Sequence, residues 1–517
     1  MNLDEFLYKL HYETDQITPP DWEVNWEDAP LPYKLYEGLP VIQLDSALPV
    51  SLSQANKPTL ADLSHFLSYS YRITQISQTF PTNDASKSWT TYRRFVPSGG
   101  ALYPNELYLY VRLEDFPTGI YHYDAAHHRL VCLRKGNFDS YLKRALGERC
   151  DITSCFAAVF ISTFFWKNFF KYNNFSYRLQ SLDAGFLIGQ MLEVGKRKGF
   201  ETGVYYHFLD SAINHLLGLD ECEESVYAVM PLSLAHNMKW FNPITDDMIT
   251  SEQISNELKP LRHKHYVRSK EIRPYPMLIN LNSACKLQSF SSIKVFSEDF
   301  KNEADGPVLK LPSSEPLSYP FHSACAKRYS PGLDFVLKPL TINTLASLLK
   351  ETVETSSYRN DLAQGMESLT SRIAMRFTTN SVDGLQNGMY ELDRYSFQLK
   401  QLKLGDFRTA LQDGLLSDFV NMPQIPLSFN ISGRNDHYRK MFGYRGHRIQ
   451  HMEVGILSHK LLIVASALNM NGHPILGFDV PWYNEIFNLQ QSGRTSLLQI
   501  PIGYYRTHPR LQGRLHS

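Results

Sequence analysis

The feature that most constrains this chain is that it repeats itself. GLPVIQLDSALP from Gly38 is answered by GPVLKLPSSEPL from Gly306, an offset of 306 − 38 = 268. GIYHYD from Gly119 is answered by GMYELD from Gly388, 388 − 119 = 269. YRLQSLDAG, with Arg178 and Gly185, is answered by HRIQHMEVG, with Arg448 and Gly455, and Pro231-Leu232 by Pro501-Ile502, all at an offset of 270. Matches at a nearly constant spacing imply two copies of one unit. Each copy would hold about 200 residues, an ordinary domain size, whereas a chain of 517 residues is too long for one core. The division read from the sequence is an arm at 1–36, a first copy at 37–235, a linker or insert at 236–305 and a second copy at 306–517.

Each copy reads as α+β. In the first, PTLADLSHFLSYSYR at 58–72 has apolar residues at helical spacing, and Thr59 can cap it. A polar loop follows at 80–92. A strand is predicted at 106–112, a hairpin at 119–124 and 129–134, and a short helix at 138–147. AAVFISTFF at 157–165 suits a buried strand. A long helix is predicted at 178–199, a shorter one at 210–217 and a closing strand at 225–230. Asp21-Trp22 through Trp26-Glu27-Asp28, followed by two prolines, reads as an arm laid over another surface. The basic run KPLRHKHYVRSKEIR at 259–273 reads as a solvated linker, with docking of an acidic peptide as the alternative.

Lys+Arg and Asp+Glu are both 52 and the pI is near 7.3, which argues against a nucleic-acid footprint. No apolar run approaches the roughly 20 residues of a membrane span. The acidic MNLDEFLYKLHYETD has no signal-peptide core, so a cytoplasmic protein is expected. The six cysteines form no metal or redox spacing and read as reduced thiols. His122, His127 and His128 on the predicted hairpin match no ligand pattern, and no metal is expected. Asp183 on the long helix reads as a solvated or hydrogen-bonded acid.

Pro97-Ser98-Gly99-Gly100-Ala101-Leu102-Tyr103-Pro104 is the least generic stretch. Its adjacent glycines allow close backbone approach and expose consecutive N–H groups. Ser98 adds a hydroxyl, and Arg94 a phosphate partner. On local chemistry it is either a ligand loop or a glycine turn before a strand.

RRFVPSGGALYPNELYLYV, then GIYHYD with HRL, then FFKYNNFSYRLQSLDAG resemble the SagB/ThcOx/McbC-type dehydrogenases, which have the FMN-dependent nitroreductase fold. The resemblance covers most of 30–232 and, more weakly, 306–505. It implies two tandem nitroreductase-like FMN-binding domains, each a mainly antiparallel sheet flanked by helices, packed as an internal pseudo-dimer. It also implies oxidation of thiazoline or oxazoline rings in a heterocyclised, ribosomally made precursor peptide, beside a cyclodehydratase partner. Lys171 and Tyr172 match the family's catalytic pair. A lysine among Phe164, Phe165, Trp166, Phe169, Phe170 and Phe175 has its charged form disfavoured and suits a base; it could equally snorkel.

The second copy departs from the pattern. It has no PSGG loop, its counterpart region lying around 358–376, and reads Phe442-Gly443-Tyr444 opposite the Lys-Tyr pair. It keeps Arg328 and Ser330, which resemble the family's Arg-x-Ser phosphate signature. It also keeps Gly477-Phe478, resembling the flavin-contacting turn, and Arg506, resembling the C-terminal phosphate contact. The expectation is one composite site with one FMN per chain. It would join Arg94, Pro97, Ser98, Gly99, Gly100, Leu102 and Tyr103 to Arg328, Ser330, Gly477, Phe478 and Arg506, with Lys171 and Tyr172 catalytic. A decayed second copy acting as a structural cap is the alternative. For the whole chain, two other functions stay open: an NAD(P)H-dependent nitro- or quinone reductase, and a non-catalytic scaffold in a peptide-modifying complex.

Overall fold

The computed structural model describes residues 1–79, 89–291, 293–296, 306–363, 365–369, 372–393, 396–507 and 511–515. Most of the predicted 80–92 loop lies outside the described residues. Six helices carry the argument: α1 (Leu3–Tyr12), α2 (Leu60–Tyr71), α3 (Trp166–Tyr172), α4 (Ser176–Lys198), α5 (Ile342–Glu354) and α6 (Arg445–Ala467). Thr59 caps α2 in a reciprocal box with Asp62.

The repeat is visible in the sheets. In the first copy the strand order is Val41–Gln43, Arg129–Lys135, Gly119–Asp124, Asn105–Val111, Ala157–Phe164, Glu224–Ser233 and Glu201–Thr202, all antiparallel. In the second it is Val308–Lys310, Gln398–Leu404, Gly388–Asp393, Ala374–Thr379, Leu427–Arg434 and Arg494–Tyr505. Asn471–Gly472 adds to the last strand there, as Glu201–Thr202 does in the first copy. The fold is therefore α+β in two tandem copies. Alternation along the strands separates two packing faces. Leu107, Leu109 and Val111 face a core that runs continuously through both copies. Tyr108 and Tyr110 face a second cluster confined to the first copy and its following segment.

That segment is not a free linker. Phe241, Ile254 and Phe290 are buried in the first copy's outer cluster. The basic run lies along the same surface: Tyr36 bridges His265, His263 Nε2 donates to the Leu133 carbonyl at 2.9 Å, and Ser269 accepts a 2.9 Å hydrogen bond from the Trp166 indole. Its backbone N–H groups at Lys270 and Glu271 bind the Asp28 carboxylate at 2.7 and 2.9 Å, so the run holds the N-terminal arm in place.

The copies meet chiefly through α4 and α6, which are buried nearly all round. They cross at Gly185 and Gly455, the two glycines related by the 270-residue offset. A Cβ on Gly185 would run into the Met452 carbonyl, and one on Gly455 into the Leu182 carbonyl. Each copy thus offers the equivalent patch to the other, the arrangement of a two-fold dimer within one chain. One turn further on, Gly189 admits the His459 ring, and His459 hydrogen-bonds Gln190 at 2.6 Å. The chain's end returns to the first copy: Leu511–Arg514 adds antiparallel to Gln75–Thr79, which also pairs with Trp89–Arg93.

A side chain at the crossing must move backbone rather than a flexible neighbour. Gly455→Leu is expected to lower stability by about 3 kcal/mol or more, the upper range for overpacking. Urea denaturation measures this, and a variant as stable as its parent would refute the close crossing.

Candidate functional site

Beside this crossing a cavity of about 330 Å³ opens between the copies. The first copy supplies Pro97, Ser98, Gly99, Gly100 and Tyr103 from the loop, and Leu179, Leu182, Asp183 and Phe186 from α4. The second supplies Arg328, Ser330, Leu476 and Leu498. One end is therefore apolar and the other rich in hydroxyls and guanidinium. The structure brings together the two sequence-distant halves expected to share a site.

The loop is held by α4. Asp183 accepts hydrogen bonds from Ser98 Oγ at 2.6 Å and the Gly99 N–H at 3.2 Å, while Ser98 Oγ accepts from the Tyr103 N–H at 2.9 Å. Burial pushes the Asp183 carboxyl up from an ordinary 3.8 to about 7, against the lowering effect of those two donors. Of the two readings of Asp183, solvated or hydrogen-bonded, the structure shows the second; that its partners are the loop was not read from the sequence. The signal available was its position in YRLQSLDAG, two residues before the crossing glycine.

Each glycine faces one wall. A Cβ on Gly99 would sit 3.0 Å from Leu179 Cδ2, so the loop lies flat on α4. Gly100 has φ +63°, which favours glycine, and a Cβ there would meet Tyr172 Oη at 2.6 Å and Lys171 Nζ at 3.0 Å. The Lys-Tyr pair at the end of α3 thus stands directly behind the loop, although neither residue lines the cavity itself. Two lysines of α3 differ sharply. Lys167 is ion-paired with Glu106, both buried. Lys171 has no carboxylate partner among the described residues; it lies 5.4 Å from the Trp26 ring and 4.7 Å from the Tyr172 ring. Burial lowers its pKa from the ordinary lysine range, and burial together with the Asp183 charge raises Tyr172 well above the usual tyrosine range. The arm expected at 21–28 lies over this helix, with Trp22 against Phe169 and Trp26 against Phe170.

Several expected residues stand elsewhere. Arg94 turns away: its guanidinium lies 3.7 Å from the Tyr71 ring and 4.5 Å from the Tyr103 ring and donates to the Pro32 carbonyl at 2.7 Å. Its neighbour Arg93, the last residue of the strand Trp89–Arg93, lines the cavity instead, on the same strand face as Thr91. Leu102 ends the loop's short helical turn without reaching the cavity. Gly477 follows the lining residue Leu476, but Phe478 is buried in a separate apolar cluster, 4.7 Å from the Tyr483 ring. Arg506 is exposed, and its backbone N–H donates to the Asp334 carbonyl. His122 is bound to Glu106, His127 to Asp124, and His128 to Ser64 and Tyr123, so the hairpin histidines belong to separate hydrogen-bond networks.

The cavity's chemistry fits FMN. Arg328 is 4% exposed and, among the described residues, its side chain hydrogen-bonds only backbone carbonyls, Phe95 O at 2.7 Å and Arg94 O at 3.5 Å. Burial and the adjacent Arg93 charge lower its pKa to about 10. A buried guanidinium without a carboxylate, beside Ser330 and Ser98, suits a phosphate. The Leu and Phe side chains opposite suit a flat aromatic ring, and the volume lies at the lower end of ligand pockets, roughly 300–1,000 Å³.

The pseudo-symmetric position is filled by protein. Glu453, the counterpart of Asp183, takes Arg372 at 2.9 Å and the Tyr438 hydroxyl at 2.9 Å. The Tyr358 hydroxyl adds a 3.4 Å bond to it and meets that of Tyr206 at 3.0 Å, all of these residues being buried. A larger cleft of about 830 Å³ also lies between the copies, bordering that position at Tyr358 and Ile456, and it holds two ion pairs, Lys460 with Glu193 at 3.0 Å and Arg359 with Glu201. It has neither the loop nor the Lys-Tyr pair.

These features define a tandem nitroreductase-like protein. An Anabaena variabilis protein assigned to the nitroreductases superposes with a TM-score of 0.76, covering 98% of this chain and 99% of its own at 21% identity. In sequence the chain is related to the McbC type. It is 30% identical over 142 residues to the trifolitoxin-processing protein TfxB of Rhizobium leguminosarum bv. trifolii, and 27% identical over 161 residues to the microcin B17-processing protein McbC of Escherichia coli. Those matches cover 26% and 30% of this chain and span 37% and 56% of the two relatives. No protein-family model matches the chain.

Asp183 makes stability depend on pH in a defined direction. Its folded pKa lies above its unfolded one, so the unfolded chain loses this proton first as pH rises. Stability falls from about pH 4 to about pH 7 and is level beyond, a span of about 4 kcal/mol for about three pKa units. Asp183→Asn keeps an acceptor for Ser98 and Gly99 and is expected to remove that slope. Urea titrations across this pH range measure it, and parallel wild-type and variant curves would refute the assignment.

Proposed function

We propose that this chain is an FMN-dependent azoline dehydrogenase. It would oxidise thiazoline or oxazoline rings of a heterocyclised, ribosomally made peptide to thiazoles or oxazoles, beside a cyclodehydratase partner. The observation that carries the reading is the packing of Gly100 against both Lys171 Nζ and Tyr172 Oη. It joins the expected catalytic pair to the loop that forms one wall of the cavity. The sequence relationship to two peptide-antibiotic processing proteins supports the same reading.

Aromatising an azoline removes a hydride and a proton from adjacent ring carbons. Bound in the cavity, FMN would supply the hydride acceptor. Arg328 and Ser330, with Ser98 opposite, would hold its phosphate and sugar hydroxyls, and Leu179, Leu182 and Phe186 would bound its ring. The protein's remaining task is the proton. Lys171 Nζ, without a carboxylate and disfavoured as an ammonium by burial, would accept it. Tyr172, held protonated, would donate a hydrogen bond that orients the substrate ring. The aromatic cover of Trp26 would exclude water from Nζ. A nitro- or quinone-reductase function on the same fold would give Lys171 no task.

One FMN per chain is expected, since the pseudo-symmetric position is filled by Glu453, Arg372 and three tyrosines. Flavin released from the purified full chain measures this, and two per chain would contradict it. Lys171→Ala is expected to slow azole formation by about 10²- to 10⁴-fold with flavin retained. Mass spectrometry of an azoline peptide, following loss of two hydrogens per ring, measures the effect. Unchanged turnover would remove Lys171 from the mechanism.

A further inference from the structure

Away from the cavity, on the second copy's side of the helix crossing, histidine rings converge. His447 and His451 lie one turn apart on α6, with ring centroids 4.2 Å apart. His437 comes from the turn before the helix, 4.9 Å from His447 and 5.8 Å from His451. One ring nitrogen from each of these three lies within 4.8 Å of the other two. His11, from α1, stands 4.6 Å from His437.

The hydrogen bonds orient these rings as ligands. His451 Nδ1 lies 2.9 Å from the His447 carbonyl, and His437 Nδ1 lies 2.8 Å from the Gln450 side-chain carbonyl. A carbonyl oxygen can only accept, so both Nδ1 atoms carry the proton and both Nε2 atoms are left as lone pairs. This is the outer-shell arrangement that fixes metal-bound imidazoles. His451 Nε2, both nitrogens of His447 and His11 Nδ1 are buried without a hydrogen-bond partner. His447 is 1% exposed and His451 0%, so orphaned nitrogens there are costly unless something binds them. His437 itself has φ +48°, a left-handed backbone uncommon for a residue with a side chain.

We infer that His437, His447 and His451 form a binding site for a divalent transition-metal ion of the Zn²⁺ class. Two histidines at i and i+4 on one helix face are a recurrent pair of zinc ligands. Metal–nitrogen distances of about 2.0–2.1 Å in tetrahedral geometry put ligand nitrogens about 3.4 Å apart. Each ring therefore needs to move by less than about 1 Å. Imidazole ligands select the borderline metals, and His11 Nδ1 is the nearest further donor.

Arg178 explains what else the site holds. It is 1% exposed, and its Nε and one terminal nitrogen have no partner. Its pseudo-symmetric mate Arg448 faces Asp210 at 3.3 Å, whereas the position 270 residues after Asp210 is Val480. Arg178 thus lacks the acid its counterpart has, and its charge reaches the four histidines. An anionic fourth ligand on the metal, such as hydroxide or chloride, would answer that charge. The site would then tie α1 and the 434–438 turn to α6. In the first copy, the residues 270 earlier than the three histidines are Lys167, Tyr177 and Ser181, so the site belongs to the second copy alone.

The test uses the untagged full chain, stripped with chelator and titrated with Zn²⁺ by calorimetry, with Co²⁺ as a spectroscopic probe. The expected result is saturation near one Zn²⁺ per chain, a rise in Tm on binding, and visible absorption of four-coordinate Co²⁺. His451→Gln and His437→Gln should each weaken Zn²⁺ binding by at least about 100-fold, more than outer-shell changes usually do. His437 is half-buried on a turn, so its variant reports even if the helix variant does not fold. No saturable Zn²⁺ binding, or binding unchanged in His437→Gln, would overturn the inference. So would saturable phosphate binding without metal that Arg178→Met abolishes, since that would mark an anion site.

Discussion

The contact of Gly185 with Gly455 is the constraint on which the rest of this molecule depends. Backbone touches backbone there, so the two central helices approach more closely than any side chain would allow. The continuous apolar core follows from that approach, because Leu182, Phe186, Met452 and Ile456 are brought into one layer. So does the cavity, whose first wall is α4 and whose second is carried by strands that pack on α6. A site built across two halves is only as well defined as the surface that sets their separation, and here that surface is made of two glycines.

Near-symmetry also shows where the copies have parted. Asp183 and Glu453 occupy equivalent places. The acid in the first copy holds a loop and faces a cavity, while the acid in the second is neutralised by Arg372 and enclosed by phenols. Arg448 has Asp210, and Arg178 has Val480 where that acid would be. Lys167 and Lys171 show the same divergence within one turn of helix. The first is spent on a buried ion pair, and the second is left with aromatic neighbours that make its charge unfavourable. Position alone distinguishes them, since their residue type and helix are the same.

Much of this was legible in the sequence because the signals were long. The constant offset identified two copies, and most predicted strands and helices of the first copy fall within a residue or two of their bounds; the closing strand runs three residues further, to Ser233, and the strand Trp89–Arg93 and the helix Trp166–Tyr172 stand where no element is expected. Bringing Ser98-Gly99-Gly100 and Arg328-Ser330 to one cavity followed from the family resemblance, which implies a site shared across an interface, combined with the repeat. What was not legible depends on side-chain direction and on packing between distant segments. Arg93 and Arg94 are adjacent, yet the strand ends at Arg93, which shares the cavity face with Thr91, while Arg94 beyond it packs on Tyr71 and Tyr103. Phe478 is two residues from the lining Leu476, yet its bridge to Leu415 and its contact with Tyr483 place it in a separate core. The 259–273 run is largely exposed, as its basic composition suggests, yet it also holds the arm, through the Lys270 and Glu271 backbone amides on Asp28, Arg268 on the Glu27 carbonyl and Arg273 on the Trp22 ring. The histidines at 447 and 451 did carry a spacing signal. His122, His127 and His128 are closer together in sequence but bind separate partners.

The pairing of Leu511–Arg514 with Gln75–Thr79 has a consequence for how the chain matures. A ribosome delivers the first copy several hundred residues before the strand that completes its three-stranded sheet. During synthesis the early hairpin therefore presents an unsatisfied edge, and the loop wall lacks the opposing Arg328. The cavity gains its second side only once Arg328, Leu476 and Leu498 have been made, and the hairpin's open edge is paired later still, when Leu511–Arg514 arrives.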